Sequence, residues 1–203
     1  MSGPAPDAAP QAVIGVVLAG GRSRRIAGAK ALTELGGRPL IAYPLAALTA
    51  AGLDPIVVAK MQSALPELGC PVVREPSTPS HPLCGVVTAL RWGDGRSLVV
   101  AGCDMPFVTG PLLEWLAGLD GLVVPEVDGH LQPLLARYEV AHLDGLERAL
   151  QSGRSMRDAV SALEPHIVGE RELRRFGVPS RLFHNVNTPS DLRAAERLLA
   201  DGG

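Results

Sequence analysis

The apolar residues along the first half of the chain predict buried strands alternating with amphipathic helices. Val13, Ile14, Val16, Val17 and Leu18 form a near-continuous apolar run, which is typical of a parallel strand covered on both faces. Short apolar runs of this kind alternate with helical patterns, so we expect a parallel sheet with crossover helices. The predicted strands are residues 13–18, 56–59, 72–73 (closed by Glu75) and 97–103, and the predicted helices are residues 39–51, 82–92 and one starting around Thr109.

The pattern changes in the second half of the chain. Strands are predicted at residues 122–125 and 131–138, joined by a turn at Asp128-Gly129. Helices are predicted at residues 140–150 and 155–163. A last amphipathic helix should run through Leu199, capped by Asn187 or Thr188 and with Pro189 in its first turn.

Length and composition fit one α/β domain. A chain of 203 residues, 46% hydrophobic and 20% charged, can bury a substantial core. We expect residues 1–12, rich in Pro and Ala, to be a disordered tail and residues 13–203 to form the domain. The tail lacks the features of a signal peptide, and no window is apolar enough for a membrane helix.

Charge and cysteine usage narrow the function classes. A net charge of −2, with no extended basic run and few aromatic residues, argues against a nucleic-acid partner. The three cysteines, Cys70, Cys84 and Cys103, show no metal-binding spacing and are expected to be reduced thiols in the cytoplasm. The five histidines show no metal-ligand spacing and no paired nucleophile, so a hydrolase triad is not supported.

The first strand runs into a glycine-rich, basic segment. Gly20 and Gly21 allow a sharp turn and let backbone N–H groups approach an anion closely. The cations Arg22, Arg24, Arg25 and Lys30 follow within ten positions. This combination suggests a polyphosphate cradle, although an ordinary strand-to-helix turn with solvated arginines has the same pattern. It matches neither the dinucleotide fingerprint nor the Walker loop.

Asp104 lies at the carboxyl end of the strand over residues 97–103, so it should share a sheet edge with the glycine turn. A carboxylate there suits Mg²⁺, whereas a turn former or helix cap is the plainer interpretation. The proline-rich loop over residues 76–82, which follows Glu75, is stiff enough to border a ligand.

These motifs resemble the molybdenum cofactor guanylyltransferases, within the glycosyltransferase-A-like nucleotidyltransferases. The resemblance rests on Leu-Ala-Gly-Gly from Leu18, Arg25, Lys30, Leu-Gly-Gly-Arg-Pro-Leu from Leu35, and Pro-Leu-x-Gly from Pro82. It continues through Cys-Asp-Met-Pro from Cys103, Arg-Ser-Met-Arg from Arg154 and Asn-x-Asn-Thr-Pro from Asn185, so it spans residues 13 to about 195. It implies a three-layer α/β/α, Rossmann-like, mostly parallel sheet.

The resemblance also implies a reaction and a site. GTP and molybdenum–molybdopterin would give the guanine dinucleotide form and pyrophosphate, with Mg²⁺ as cofactor and other molybdenum-cofactor proteins or molybdoenzymes as partners. The implied catalytic residues are Arg25, Lys30 and Asp104, with Asp104 as metal ligand and Asn185 and Asn187 on the molybdopterin side. The implied nucleotide-binding residues are Leu18, Ala19, Gly20, Gly21, Lys30, Glu75, Gly85 and Asp104.

Three departures from the family pattern bear on base choice more than on phosphate handling. Ala29 precedes Lys30 where the family commonly has an acidic residue, and the loop between Arg25 and Lys30 is one residue shorter. Glu75 replaces the usual guanine-reading aspartate, and Ala59 replaces an asparagine. Two alternatives therefore stay open: a related nucleotidyltransferase using CTP or GTP on another small phosphate, and a non-catalytic nucleotide-binding regulatory protein.

Overall fold

A computed structural model describes residues 13–20 and 30–201, and its centre is one mixed sheet. The strands are β1 (Ile14–Leu18), β2 (Glu34–Leu35), β3 (Arg38–Pro39), β4 (Asp54–Lys60), β5 (Val72–Glu75), β6 (Leu98–Gly102), β7 (Val123–Val127), β8 (His130–Leu131), β9 (Leu135–Tyr138) and β10 (His166–Val168). The helices are α1 (Ala42–Ala50), α2 (Pro82–Trp92), α3 (Gly110–Ala117), α4 (Leu143–Gln151), α5 (Met156–Ser161), α6 (Glu170–Leu173), α7 (Pro179–Leu182) and α8 (Pro189–Ala200), with 3₁₀ turns at Lys30–Leu32 and Val140–His142.

The sheet has the strand order β10-β7-β9-β6-β1-β4-β5, and β8 pairs with β7. Strands β6, β1, β4 and β5 are mutually parallel, as the sequence predicts, and β9 runs antiparallel to both β6 and β7. Apolar residues alternate between the faces: Val17 packs with α1 and α3, whereas Ile14 and Val16 pack with α2, α4 and α5. The result is a three-layer α/β/α architecture, which confirms the predicted fold class. Among the described residues, no helix has the length and apolar character that crossing a bilayer requires.

Several predicted boundaries are wrong, for identifiable local reasons. Helix α1 begins at Ala42 and not at residue 39, because Arg38–Pro39 pairs with Glu34–Leu35 in a hairpin. Gly36 and Gly37 form its turn with φ values of 55° and 74°, and a two-residue turn with both φ values positive favours glycine. The alternation also fails between β4 and β5, since residues 61–71 form no helix.

The second half is predicted only in part. The turn at Asp128-Gly129 is present, but the strand predicted over residues 131–138 is divided into β8 and β9. Gln132 lies between them and its backbone N–H donates to the carbonyl of Pro125 at 2.8 Å. Strand β10 was not predicted. Helix α2, in contrast, has the predicted bounds.

Helix α8 is fixed by a capping box, which matters because the preceding residues belong to the candidate site. The Thr188 hydroxyl accepts from the backbone N–H of Asp191, and the Asp191 carboxylate accepts from the backbone N–H groups of Asn187 and Thr188. Thr188 is therefore the cap, and the Asn187 side chain is left to make other contacts.

We expect Thr188→Ala to lower the free energy of unfolding by about 1 kcal/mol, the usual cost of losing a threonine N-cap. Thr188→Ser, which keeps the hydroxyl, should stay close to the parent protein. Urea unfolding of the three proteins measures both values. Equal losses for the two variants would show that the methyl group, and not the cap, supplies the stability.

Candidate functional site

Strands β1, β4, β5 and β6 end together at one edge of the sheet, called here the carboxyl edge. Leu18 at the end of β1 is in register with Val58 of β4 and with Gly102 of β6. The last residues of β4 and β5, Lys60 and Glu75, are register partners. Residues directly after these strands therefore lie side by side, where open α/β sheets collect their ligands.

Lys30, Asp104 and Asn187 form the first polar cluster at this edge. The Lys30 ammonium lies 2.6 Å from Asp104 Oδ2 and donates to Asn187 Oδ1 at 2.5 Å. The Lys30 and Asp104 side chains are only 10% and 13% exposed, so their ion pair is partly shielded from solvent. Asp104 and Asn187 lie 74 and 157 positions after Lys30 in the sequence, so three distant segments of the chain meet in this cluster.

The surrounding fold holds this cluster in place. The backbone N–H of Val186 donates to the carbonyl of Asp104 at 2.9 Å, which ties the loop after β6 to the segment before α8. A small apolar cluster reinforces that contact, and Gly102 leaves room for the Asp104 side chain, because a Cβ there would overlap Asp104 Oδ1. The apolar cluster is formed by Leu35, Leu40, Phe107, Val186 and Ala195.

The donor set fits a hard divalent cation. The Lys30 ammonium already occupies a position between a carboxylate oxygen and a carboxamide oxygen, so the geometry brings two oxygen ligands to one positive charge. Within residues 13–20 and 30–201, no group of three or more His, Cys, Asp or Glu side chains could hold a metal. Mg²⁺ is commonly held by one or two carboxylates and substrate phosphates, and Asp104 matches that arrangement.

A second cluster lies around Glu75. Its carboxylate is 4% exposed and lies 3.5 Å from the ammonium of Lys60, which is equally buried. Gly20 and Gly85 flank it: a Cβ at Gly20 would overlap Glu75 Oε1, and one at Gly85 would lie 3.3 Å from Oε2. Neither glycine has a positive φ, so glycine is not required here by the backbone conformation. The absence of a side chain instead allows the Glu75 carboxylate to approach both residues closely. Cys84 is buried beside Gly85.

Burial dominates the electrostatics of the second cluster. It raises the pKa of the Glu75 carboxyl, and the neighbouring Lys60 charge offsets part of that rise. Burial and the Glu75 charge both raise the pKa of the Cys84 thiol, which therefore stays protonated. Glu75 and Lys60 lie close to Gly20, within the region predicted to bind nucleotide.

Of the remaining predicted site residues, some lie beside the two clusters, one makes only a local contact, and others are not described by the structure. Leu18 packs toward Gly85, since a Cβ there would lie 3.0 Å from Leu18 Cδ2, and Ala19 is buried. Asn185 donates from its side chain to the carbonyl of Phe183, a local contact that does not join it to Asn187. Gly21 and Arg25, with Arg22 and Arg24, lie outside the described residues.

Comparison with known proteins decides the family. The model of the MobA-like NTP transferase domain matches residues 15–167. The chain belongs to the MobA-like NTP transferase family. A molybdenum cofactor guanylyltransferase from Cereibacter sphaeroides is 36% identical over 200 residues, covering 92% of this chain and 97% of the relative. A probable molybdenum cofactor guanylyltransferase from Pelotomaculum thermopropionicum is 33% identical over 192 residues, covering 92% and 93%.

Solved structures give the same relationship. Molybdopterin-guanine dinucleotide biosynthesis protein A from Archaeoglobus fulgidus aligns with a TM-score of 0.77 and 29% identity, covering 93% of this chain and all of that one. The 2-C-methyl-D-erythritol 4-phosphate cytidylyltransferase from Thermus thermophilus aligns with a TM-score of 0.69 at 21% identity, which shows a shared fold only. The predicted family is confirmed, and the protein is a nucleotidyltransferase.

Sequence reasoning missed Lys60. It follows a short apolar run at the end of β4, where an exposed lysine would be unremarkable. The available signal was its place at the carboxyl end of a parallel strand, the same position that drew attention to Asp104. Its register partner Glu75 becomes apparent only from the pairing of β4 with β5.

Proposed function

We propose that this MobA-like NTP transferase transfers GMP from GTP to the phosphate of molybdenum–molybdopterin, which gives the guanine dinucleotide cofactor and pyrophosphate. The observation that carries the proposal is the convergence of Lys30, Asp104 and Asn187 at the carboxyl edge, next to the strand that leads into Gly20. Relatives named for this activity, aligned over nine-tenths of the chain, support it.

The reaction needs no protein nucleophile. An oxygen of the acceptor phosphate bonds to the α-phosphorus of GTP, and the bond from that phosphorus to the bridging oxygen of the β-phosphate breaks. Pyrophosphate leaves with the electron pair of the broken bond. Because acceptor and nucleotide are both anionic, catalysis consists chiefly of positioning and charge neutralisation.

The chain's own groups supply those functions. In this proposal the backbone of Leu18, Ala19 and Gly20 approaches the nucleotide, and Lys30 neutralises its phosphates. The family resemblance assigns the same two roles to Gly21 and Arg25, which lie outside the described residues. Asp104, with the carboxamide oxygen of Asn187 beside it, would hold Mg²⁺. When bound, Mg²⁺ supplies a positive charge against the phosphate oxygens. We assign Asn187, and Asn185 two residues before it, to the molybdopterin side of the site.

We place the reaction in the cytoplasm, where Cys70, Cys84 and Cys103 remain free thiols. There the product would be passed to other molybdenum-cofactor proteins or to a target molybdoenzyme. The alternatives are transfer from CTP or GTP to another small phosphate, and nucleotide binding without turnover.

Pyrophosphate release from GTP, CTP and ATP, with and without molybdopterin, tests the proposal. We expect release from GTP that depends on molybdopterin and stops when EDTA removes the divalent cation. Release from CTP instead, or from GTP with a different phosphorylated acceptor only, would favour the related transferase. Nucleotide binding with no release under any condition would favour the regulatory protein.

A further inference from the structure

The chain contains two lysines, and both lie beside a carboxylate at the carboxyl edge. Lys30 has a place in the proposed reaction, but Lys60 does not. Lys60 is 4% exposed, an uncommon position for a lysine unless its charge is paired or used. Its role therefore requires an explanation of its own.

The pairing of Lys60 with Glu75 leaves hydrogen-bonding capacity unused. The ammonium lies 3.5 Å from Glu75 Oε1, and its contacts with the carbonyls of Pro76 and Ser77 are 3.4 and 3.5 Å long. These distances lie beyond the usual range for N–H···O bonds. Glu75 Oε2 is buried and has no nitrogen or oxygen hydrogen-bond partner in the part of the chain that the structure describes, and the thiol of Cys84, a weak donor, is its neighbour. A buried ion pair satisfied so incompletely is a poor source of stability.

The position of the pair indicates what it could bind. Glu75 is held between Gly20, in the predicted nucleotide-binding turn, and Gly85, at the start of α2. The pair therefore adjoins the nucleotide-binding segment while standing apart from the Lys30–Asp104 cluster assigned to phosphate and metal. The part of a nucleotide that lies away from its phosphates is the base.

We propose that Lys60 and Glu75 together read the Watson–Crick edge of guanine. That edge presents one acceptor, O6, followed by two donors, the N1–H and the exocyclic amine. An ammonium supplies the donor for O6, and an ionised carboxylate supplies two acceptors for the N–H groups. The inference rests on the proposed function and adds to it a base-reading residue, Lys60.

The same pair should reject other bases. Adenine presents a donor at position 6 and an acceptor at N1, which oppose the ammonium and the carboxylate. Cytosine presents a donor and two acceptors, so two of its groups would face carboxylate lone pairs. Unpaired buried polar groups make such mismatches costly, and hydrogen-bonding sites discriminate strongly for that reason.

The test measures two nucleotide preferences in the parent protein and in Lys60→Met. Replacing O6 by sulfur, in 6-thio-GTP, weakens the acceptor that faces Lys60, whereas ITP lacks the amine that faces Glu75. We expect the parent protein to bind GTP about tenfold or more tightly than either analogue, as for hydrogen bonds with charged partners. In Lys60→Met the preference over 6-thio-GTP should vanish, while the preference over ITP should remain.

A purely structural role for Lys60 predicts a different result. Lys60→Met would then weaken binding of all three nucleotides equally and leave both preferences unchanged, which would overturn the inference. If the parent protein bound no GTP at all, the proposed function would fail and this inference with it. A parent protein that turns over GTP, with an unaltered preference in Lys60→Met, would overturn the inference alone.

A second measurement does not depend on the variant folding well. Selective isotope labelling of lysine gives two side-chain NMR signals, one each for Lys30 and Lys60, which Lys30→Met assigns. We expect GTP to shift both signals, and ATP to leave the Lys60 signal in place. A Lys60 signal unmoved by saturating GTP, while the Lys30 signal shifts, would overturn the inference.

Discussion

Asp104→Asn should lower turnover by about three orders of magnitude or more while leaving the fold intact. The substitution keeps the size of the side chain but removes the charge that pairs with Lys30 and would hold Mg²⁺. Charge stabilisation by a metal amounts to several kcal/mol, and each 1.36 kcal/mol is a factor of ten in rate. The backbone bond from Val186 to the Asp104 carbonyl does not involve the side chain and should persist. Pyrophosphate release gives the rate, and circular dichroism with thermal unfolding reports on the fold.

Asp120→Asn is the matched control for this substitution. Asp120 is exposed and precedes β7, at the edge of the sheet opposite the site, so the same chemical change there should not alter turnover. An Asp104→Asn protein that is folded and as active as this control would show that Asp104 is not the metal ligand, and that its position after β6 reflects only a turn.

Lys30→Met should weaken GTP binding about tenfold to a hundredfold, the range for hydrogen bonds in which one partner is charged. In the described structure the ammonium neutralises Asp104 and contacts Asn187, and we expect it to move to a phosphate oxygen when the nucleotide binds. Methionine keeps most of the side chain's length and apolar contacts but removes its charge. Calorimetric titration with GTP in excess Mg²⁺ measures the change.

Arg148→Met provides the comparison for loss of a cation outside the proposed site. Arg148 is exposed on α4, and its removal should leave GTP affinity unchanged. If Lys30 only neutralised Asp104, its removal would free the carboxylate for the metal, and affinity would be unchanged or higher. Either of those results for Lys30→Met would contradict the role proposed for Lys30.

The sequence predicts the parts of the fold in which local pattern and long-range packing agree. The apolar runs of β1, β4 and β6 are buried on both faces, so they identify central parallel strands without further information. Helix α2 has its predicted bounds because Pro82 opens it, the preceding His81 caps it, and Gly93 follows its end. Each family motif is a short, uninterrupted run of residues that can be recognised without the structure, and for that reason the motifs also identify the enzyme class.

Sequence reasoning fails where pairing between distant segments decides the structure. The hairpin of β2 and β3 contains the Gly36-Gly37 turn, which is a local signal in the sequence. The prediction of a helix from residue 39 did not take that signal into account. Strand β10 has three residues and exists through its pairing with β7. The same limit applies to the site: Asp104 and Asn187 are predictable one by one, but their shared contact with Lys30 depends on tertiary structure.

The surroundings of Glu75 are the part of the candidate site that the sequence predicts least well. The position of Glu75 at the end of β5 is predictable from the sequence and the base-reading role proposed for it follows from the family resemblance, but its environment is not predictable. The pairing of β4 with β5 places Lys60 beside it, and Gly20 and Gly85 leave the space in which the carboxylate is buried. The carboxylate of Glu75 is thus one half of an ion pair with Lys60. Base selectivity is therefore expected to depend on both residues.

We propose that the cluster around Asp104 is the metal–nucleotide centre of this transferase. Electron paramagnetic resonance with Mn²⁺ in place of Mg²⁺ distinguishes the alternatives, because Mn²⁺ held by the protein has a spectrum that differs from those of free Mn²⁺ and of the Mn²⁺–GTP complex in solution. We expect the spectrum of protein-bound Mn²⁺ to appear when GTP is added to the parent protein or to Asp120→Asn, and to be absent for Asp104→Asn. Equal GTP-dependent binding of Mn²⁺ by the parent protein and by Asp104→Asn would contradict it.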